Sequence, residues 1–151
     1  MSDLGTACLL VAFGLACFSL IGSAVGLRIS SNQMITASFR ANYMIPLALV
    51  VATGSLVSAF VGHDFSINYV AAHSSTAMET QYIWVAFYAG NEGSLLYIAL
   101  ALSALTSVCV WSLARQQYRY LGSTNIVLMV ISIFFLGVLI WLANPFWDTP
   151  F

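Results

Sequence analysis

The chain has 151 residues, of which 61% are hydrophobic and only 6% charged, with no lysine and a formal net charge of −1. Water-soluble domains carry about a quarter charged residues, so this composition excludes an ordinary soluble globule. It also excludes the basic surface that a nucleic-acid partner requires.

A helix crosses the hydrocarbon core of a bilayer in about 20 apolar residues. Four stretches are predicted to do so: about 4–27, 43–62, 93–114 and 125–143. A lipid-facing barrel would need residue-by-residue alternation, and these long apolar runs lack it. The expected fold class is therefore all-α, a polytopic membrane protein with four transmembrane helices. One membrane domain takes in residues 1–151.

The first span carries Asp3 and no basic residue ahead of a long apolar run, which fits a retained helix better than a cleaved signal peptide. Its Gly22-Ser23-Ala24-Val25-Gly26 segment is a small-xxx-small pattern, which allows close approach of a second helix. Cys8, Cys17 and Cys109 all sit inside apolar runs, outside any C-x-x-C pair, and read as small buried hydrophobes. Pro46 lies near the expected start of the second span, where a missing N–H costs little.

Arg28 and Arg40 fall between spans one and two, and Arg115 and Arg119 between spans three and four. The positive-inside rule assigns that shared side to the cytoplasm, or to the matrix of an organelle, and sends both termini to the extracytoplasmic side. Arg115 and Arg119 read as a topology anchor near anionic headgroups.

Residues 63–92 form a long link, against about two to eight residues in most helical bundles. Phe65, Ile67, Tyr69, Trp84, Phe87 and Tyr88 make it too apolar for a free tether. It is expected to lie on the outer membrane interface. The stretch 65–72 fits neither the helical nor the strand period. His63 and His73 belong to this loop, ten residues apart with no obvious third ligand, and read as interfacial side chains, not a metal pair.

Glu92 raises a sharper question, because ionised groups at membrane depth are costly and often functional. With Asn91 as the N-cap, Glu92 would stand at the first helical position of span three. There an acid meets the positive end of the helix dipole, worth typically 0.3–1 kcal/mol at an exposed site. Beyond the fourth span, Pro145 stops the helix. Trp141, Phe146 and Trp147 suggest an aromatic belt at the outer boundary.

Three blocks carry a family resemblance. Asp64-Phe65-Ser66-Ile67-Asn68-Tyr69-Val70-Ala71-Ala72-His73-Ser74 resembles the D-F-x-x-x-Y-V-A-x-x-S signature of the CcmF/NrfE-type cytochrome c biogenesis proteins, haem lyase components of the haem-handling membrane protein superfamily. Glu92-Gly93-Ser94-Leu95-Leu96 and Asn144-Pro145-Phe146 are similar to that family's next two blocks, in the same order. Tyr88 and Asn91 depart from the family's Trp-Gly-x-His, and the scattered tryptophans form no W-W-D motif. The resemblance is to the family's N-terminal portion, as in a split-gene product, a truncated frame or a fragment.

The resemblance implies a cytochrome c maturation subunit, part of a haem lyase complex that attaches haem to a C-x-x-C-H apocytochrome c. It implies as partners the remaining haem lyase chain with the tryptophan-rich motif, a haem chaperone, apocytochrome c and membrane lipid. The membrane would be the bacterial inner membrane or the mitochondrial inner membrane. No catalytic, cofactor-binding or metal residue is assigned to this segment, and haem is expected in the full complex, not on this chain alone. Candidates for outer-face docking are Asp64, Phe65, Tyr69, His73, Ser74, Asn91, Glu92, Gly93 and Ser94. Two other functions remain to be separated: a proton- or ion-coupled transport subunit using Glu92, and an assembly scaffold without chemistry.

Overall fold

The computed structural model describes residues 2–62, 90–115 and 120–146. Four helices account for nearly all of them: α1 (Ser2–Ile29), α2 (Asn32–Val61), α3 (Asn91–Arg115) and α4 (Leu121–Trp141). All four are long and apolar enough to cross a membrane, and no strand occurs among the described residues. The chain is an integral membrane protein of all-α architecture.

α1 and α3 each pack against both α2 and α4, so the helices stand at the corners of a square. Pairings of α1 run antiparallel to both neighbours: Ser19 with Ser38 of α2, and Leu27, Phe13 and Gly5 with Gly122, Trp141 and Phe146 in turn. Two serines join α1 to α2. Ser30 adopts φ 55° and the Ser31 N–H donates to the Gly26 carbonyl at 2.9 Å, a Schellman-type stop with serine at the left-handed position.

The burial pattern explains the packing. Buried positions in α1 are Gly5, Leu9, Ala12, Ala16, Ser19, Ser23 and Gly26, with Gly22 beside them. In α2 they include Ser38, Asn42, Ile45, Leu49, Ala52, Leu56 and Ala59. In α4 they are Gly122, Asn125, Met129, Ser132, Leu136 and Leu139, with Ile140 beside them. Each series alternates steps of three and four, the 3.5-residue period of left-handed helix packing. The seams are rich in small and hydroxyl-bearing residues. Many large apolar side chains, among them Leu10, Phe18, Ile21, Leu47, Val50, Leu105, Val127 and Phe134, are nevertheless exposed. An apolar outer surface over such seams suits a lipid solvent, in which small seam residues let helix backbones approach closely.

One sequence expectation is met within the chain and another changes. The small-xxx-small pattern of α1 is used within the chain: a side chain on Gly22 would strike Ser38, and one on Gly26 would come within 2.7 Å of Ile35. The second helix also starts at Asn32, well before the expected apolar start at Tyr43. Its first turns pack on α1 through this glycine face, so helix continues through the polar stretch that carries Arg40. Pro46 consequently lies inside a helix.

Candidate functional site

The bundle has two chemically different ends. Arg28, Arg40 and Arg115 gather at one; Asp3 and Glu92 stand at the other, and these are the charged residues among the described side chains. Of the docking candidates, Asp64, Phe65, Tyr69, His73 and Ser74 lie outside the described residues, as do His63, Trp84, Arg119 and Trp147.

Asn91, Glu92, Gly93 and Ser94 form the first turn of α3. The helix begins at Asn91, so the cap position falls to Gly90, one residue earlier than expected; its carbonyl accepts from the Ser94 N–H at 3.3 Å. The Ser94 hydroxyl donates to the Asn91 carbonyl at 3.0 Å. Glu92 is half-buried in this turn, with Gly93 beside it on the packed face. It sits at the helix mouth, where the dipole favours an acid. The sequence places no acidic, basic or histidine residue in 93–114 or 125–143, so a proton relay starting at Glu92 has no next carrier within those spans.

The Asn144-Pro145-Phe146 block closes the same end. The Asn144 side-chain oxygen accepts from the Phe146 N–H at 3.0 Å, an Asx turn that reverses the chain just past α4. The turn drives Phe146 into the bundle, where its ring occupies the space left open by Gly5. Phe146 is thus core and not part of an interfacial belt, whereas Trp141 stays exposed and meets Phe13 edge-on at 5.2 Å.

Sequence reasoning missed the most elaborate chemistry, a buried polar clasp toward the arginine end. Asn42 of α2 and Asn125 of α4 are both fully buried, and the Asn42 amide donates to the Asn125 oxygen at 3.2 Å. The Asn125 amide donates in turn to Ser19 at 3.0 Å and Ser23 at 2.9 Å on α1. From α3, Thr106 and Ser107 reach the Asn42 side-chain oxygen at 3.5 and 3.4 Å. All four helices are tied through one knot.

Pro46 explains part of its design. Proline has no N–H to offer the carbonyl four residues earlier, and that residue is Asn42. The Ser107 hydroxyl of α3 lies 3.3 Å from this freed carbonyl and donates to it. In lipid, where water cannot satisfy a backbone group, serine side chains commonly make such repairs. The signal in the sequence was two asparagines and paired hydroxyls within otherwise apolar helices.

The described residues do not supply a haem or metal site. They include no histidine and no group of three His, Cys, Asp or Glu side chains able to hold a metal ion. Cys8, Cys17 and Cys109 are free, half-buried thiols. What the described geometry offers is a rigid frame with differentiated ends.

No family model matches the chain. Individual proteins do. A Haemophilus influenzae cytochrome c-type biogenesis protein NrfE is 27% identical over 146 residues, covering 97% of this chain and 23% of its own length. The Pseudomonas aeruginosa CcmF is 33% identical over 148 residues, covering 95% of this chain and 22% of its own length. The Pseudomonas fluorescens CcmF reaches 41% identity over 99 residues. Among solved structures, the cytochrome c haem lyase CcmF superimposes with a TM-score of 0.87 at 25% identity, over 96% of this chain and 24% of that one. The chain is similar in sequence and in fold to CcmF/NrfE-type cytochrome c biogenesis proteins. It spans less than a quarter of the length of the curated CcmF and NrfE relatives it matches. The clasp, the Glu92 turn and the Asx turn are thus features of a CcmF-like four-helix segment.

Proposed function

We propose that the chain works in cytochrome c maturation as the N-terminal segment of a haem lyase component. The observation that carries the reading is agreement with CcmF in sequence and fold along nearly the whole chain. In this reading haem is the substrate of the assembled machinery. Haem handling falls to a companion chain with the tryptophan-rich motif, fed by a haem chaperone, and apocytochrome c receives the haem.

This segment contributes the frame. The arginine end faces the cytoplasm or matrix, following the positive-inside rule, and the Glu92 end faces the opposite compartment of a bacterial or mitochondrial inner membrane. Asp64, Phe65, Tyr69, His73 and Ser74 in the 63–92 loop then join Asn91, Glu92, Gly93 and Ser94 in one docking surface. The first turn of α3 supports this, since it offers a carboxylate on a packed and hydrogen-bonded helix start.

Deleting this reading frame from its host tests the proposal. Haem-stained c-type cytochromes are expected to fall strongly and to recover when the full chain is re-supplied. Unchanged staining in the deletion strain would contradict the maturation role.

A further inference from the structure

Two grooves lie in succession along one face of α2. The first, about 320 Å³, is lined by Asn32, Gln33, Thr36, Ala37 and Arg40 and is open to the surroundings. The second, about 240 Å³, lies one turn deeper between α2 and α3, with Tyr43, Ser107, Val108 and Trp111 as its walls. Its lining is almost wholly apolar, and it is smaller than the roughly 300–1,000 Å³ of compact-ligand pockets. A trough of that size on a lipid-facing seam suits part of an acyl chain.

Charge decides what kind of lipid. Arg40 is one turn from Tyr43 on α2, and Arg115 is one turn from Trp111 on α3, so both stand at the arginine-end rim of the deeper groove. The Arg115 guanidinium is stacked 3.9 Å from the centre of the Trp111 ring, which fixes it in place while its N–H edge stays available. Neither arginine has an ion-pair partner among the described residues, where the acids, Asp3 and Glu92, occupy the far end of the bundle. The Tyr43 hydroxyl likewise has no hydrogen-bond partner there. Polar donors and an arginine at headgroup depth, followed by an apolar trough, form an amphipathic sequence matched to a phospholipid.

We propose that this face of α2 and α3 is a binding site for one anionic phospholipid of the arginine-side leaflet. Its phosphate sits at the Arg40–Arg115 rim and one acyl chain lies in the groove walled by Tyr43 and Trp111. The site is independent of the maturation role. Arg40 and Arg115 act here as ligands for a particular lipid, beyond their contribution to topology.

Native mass spectrometry of the full chain, released from detergent with equal amounts of phosphatidylglycerol and phosphatidylcholine, tests the site. One phosphatidylglycerol is expected to be retained in preference, and Arg40→Ala or Arg115→Ala should each cut that preference roughly fivefold. Val108→Trp, which fills the trough without touching a charge, should also lower retention at an unchanged unfolding temperature, and it serves if the arginine variants do not fold. Equal retention of both lipids, or phosphatidylglycerol retention undiminished by Val108→Trp, would overturn the proposal. An excess of inorganic phosphate should leave the bound lipid in place; displacement would reveal a bare anion site and refute the lipid assignment.

Discussion

The two ends of the bundle solve the same packing problem by different means. At the Glu92 end, closure is local and apolar: an Asx turn at Asn144 swings Phe146 into the gap over Gly5. Toward the arginine end, closure is long-range and polar, with Asn42 and Asn125 linking residues from all four helices. A polar knot has few competing partners in lipid and specifies one arrangement of the helices. An apolar plug gains less specificity, because lipid tails are as apolar as the ring they would replace. The geometry therefore assigns helix register chiefly to the arginine end.

That contrast makes graded predictions for unfolding of the purified chain in detergent. Asn125→Ala removes three interhelical hydrogen bonds and should destabilise the bundle by about 2 kcal/mol, taking ~0.6 kcal/mol for each. A loss below a few tenths would mean that the clasp is decorative. Ser107→Ala should cost about 1 kcal/mol by leaving the Asn42 carbonyl unpaired, and that cost should shrink when Pro46→Ala restores the backbone N–H. Equal costs in both backgrounds would separate Ser107 from the proline. Asn144→Ala loosens only the Asx turn and should cost less than 1 kcal/mol. A larger effect than that of Asn125→Ala would reverse the ranking of the two ends.

Much of this architecture was readable from composition. Four apolar runs announced four helices because lipid offers a spanning chain few alternatives. The polar break at Glu92 placed the start of α3, at Asn91, to within a residue. The inner surface was harder to read, since apolarity alone does not separate lipid-facing Phe18 from buried Leu9. The informative residues were the small and polar ones repeating every three or four positions, such as Ala12, Ala16, Ser19 and Ser23. Reading Asn125 as the edge of a span hid its place in the clasp. Pro46 was misplaced for a related reason: the polar residues before Tyr43 suggested a loop, but they extend α2 along the glycine face of α1. The loop that holds Asp64, Phe65, Tyr69, His73 and Ser74 lies outside the described residues, and those candidates rest on the family resemblance.

The central claim is that the arginine end and the Glu92 end of a four-crossing bundle lie in different aqueous compartments. It is tested by impermeant maleimide labelling of intact cells or mitoplasts, in chains that have Cys8, Cys17 and Cys109 replaced by alanine. Single cysteines enter at exposed positions, Asn32→Cys at the arginine end and Asn91→Cys at the other. The account predicts that Asn91→Cys is labelled from outside and that Asn32→Cys reacts only after permeabilisation. Labelling of both positions from the same side would contradict it.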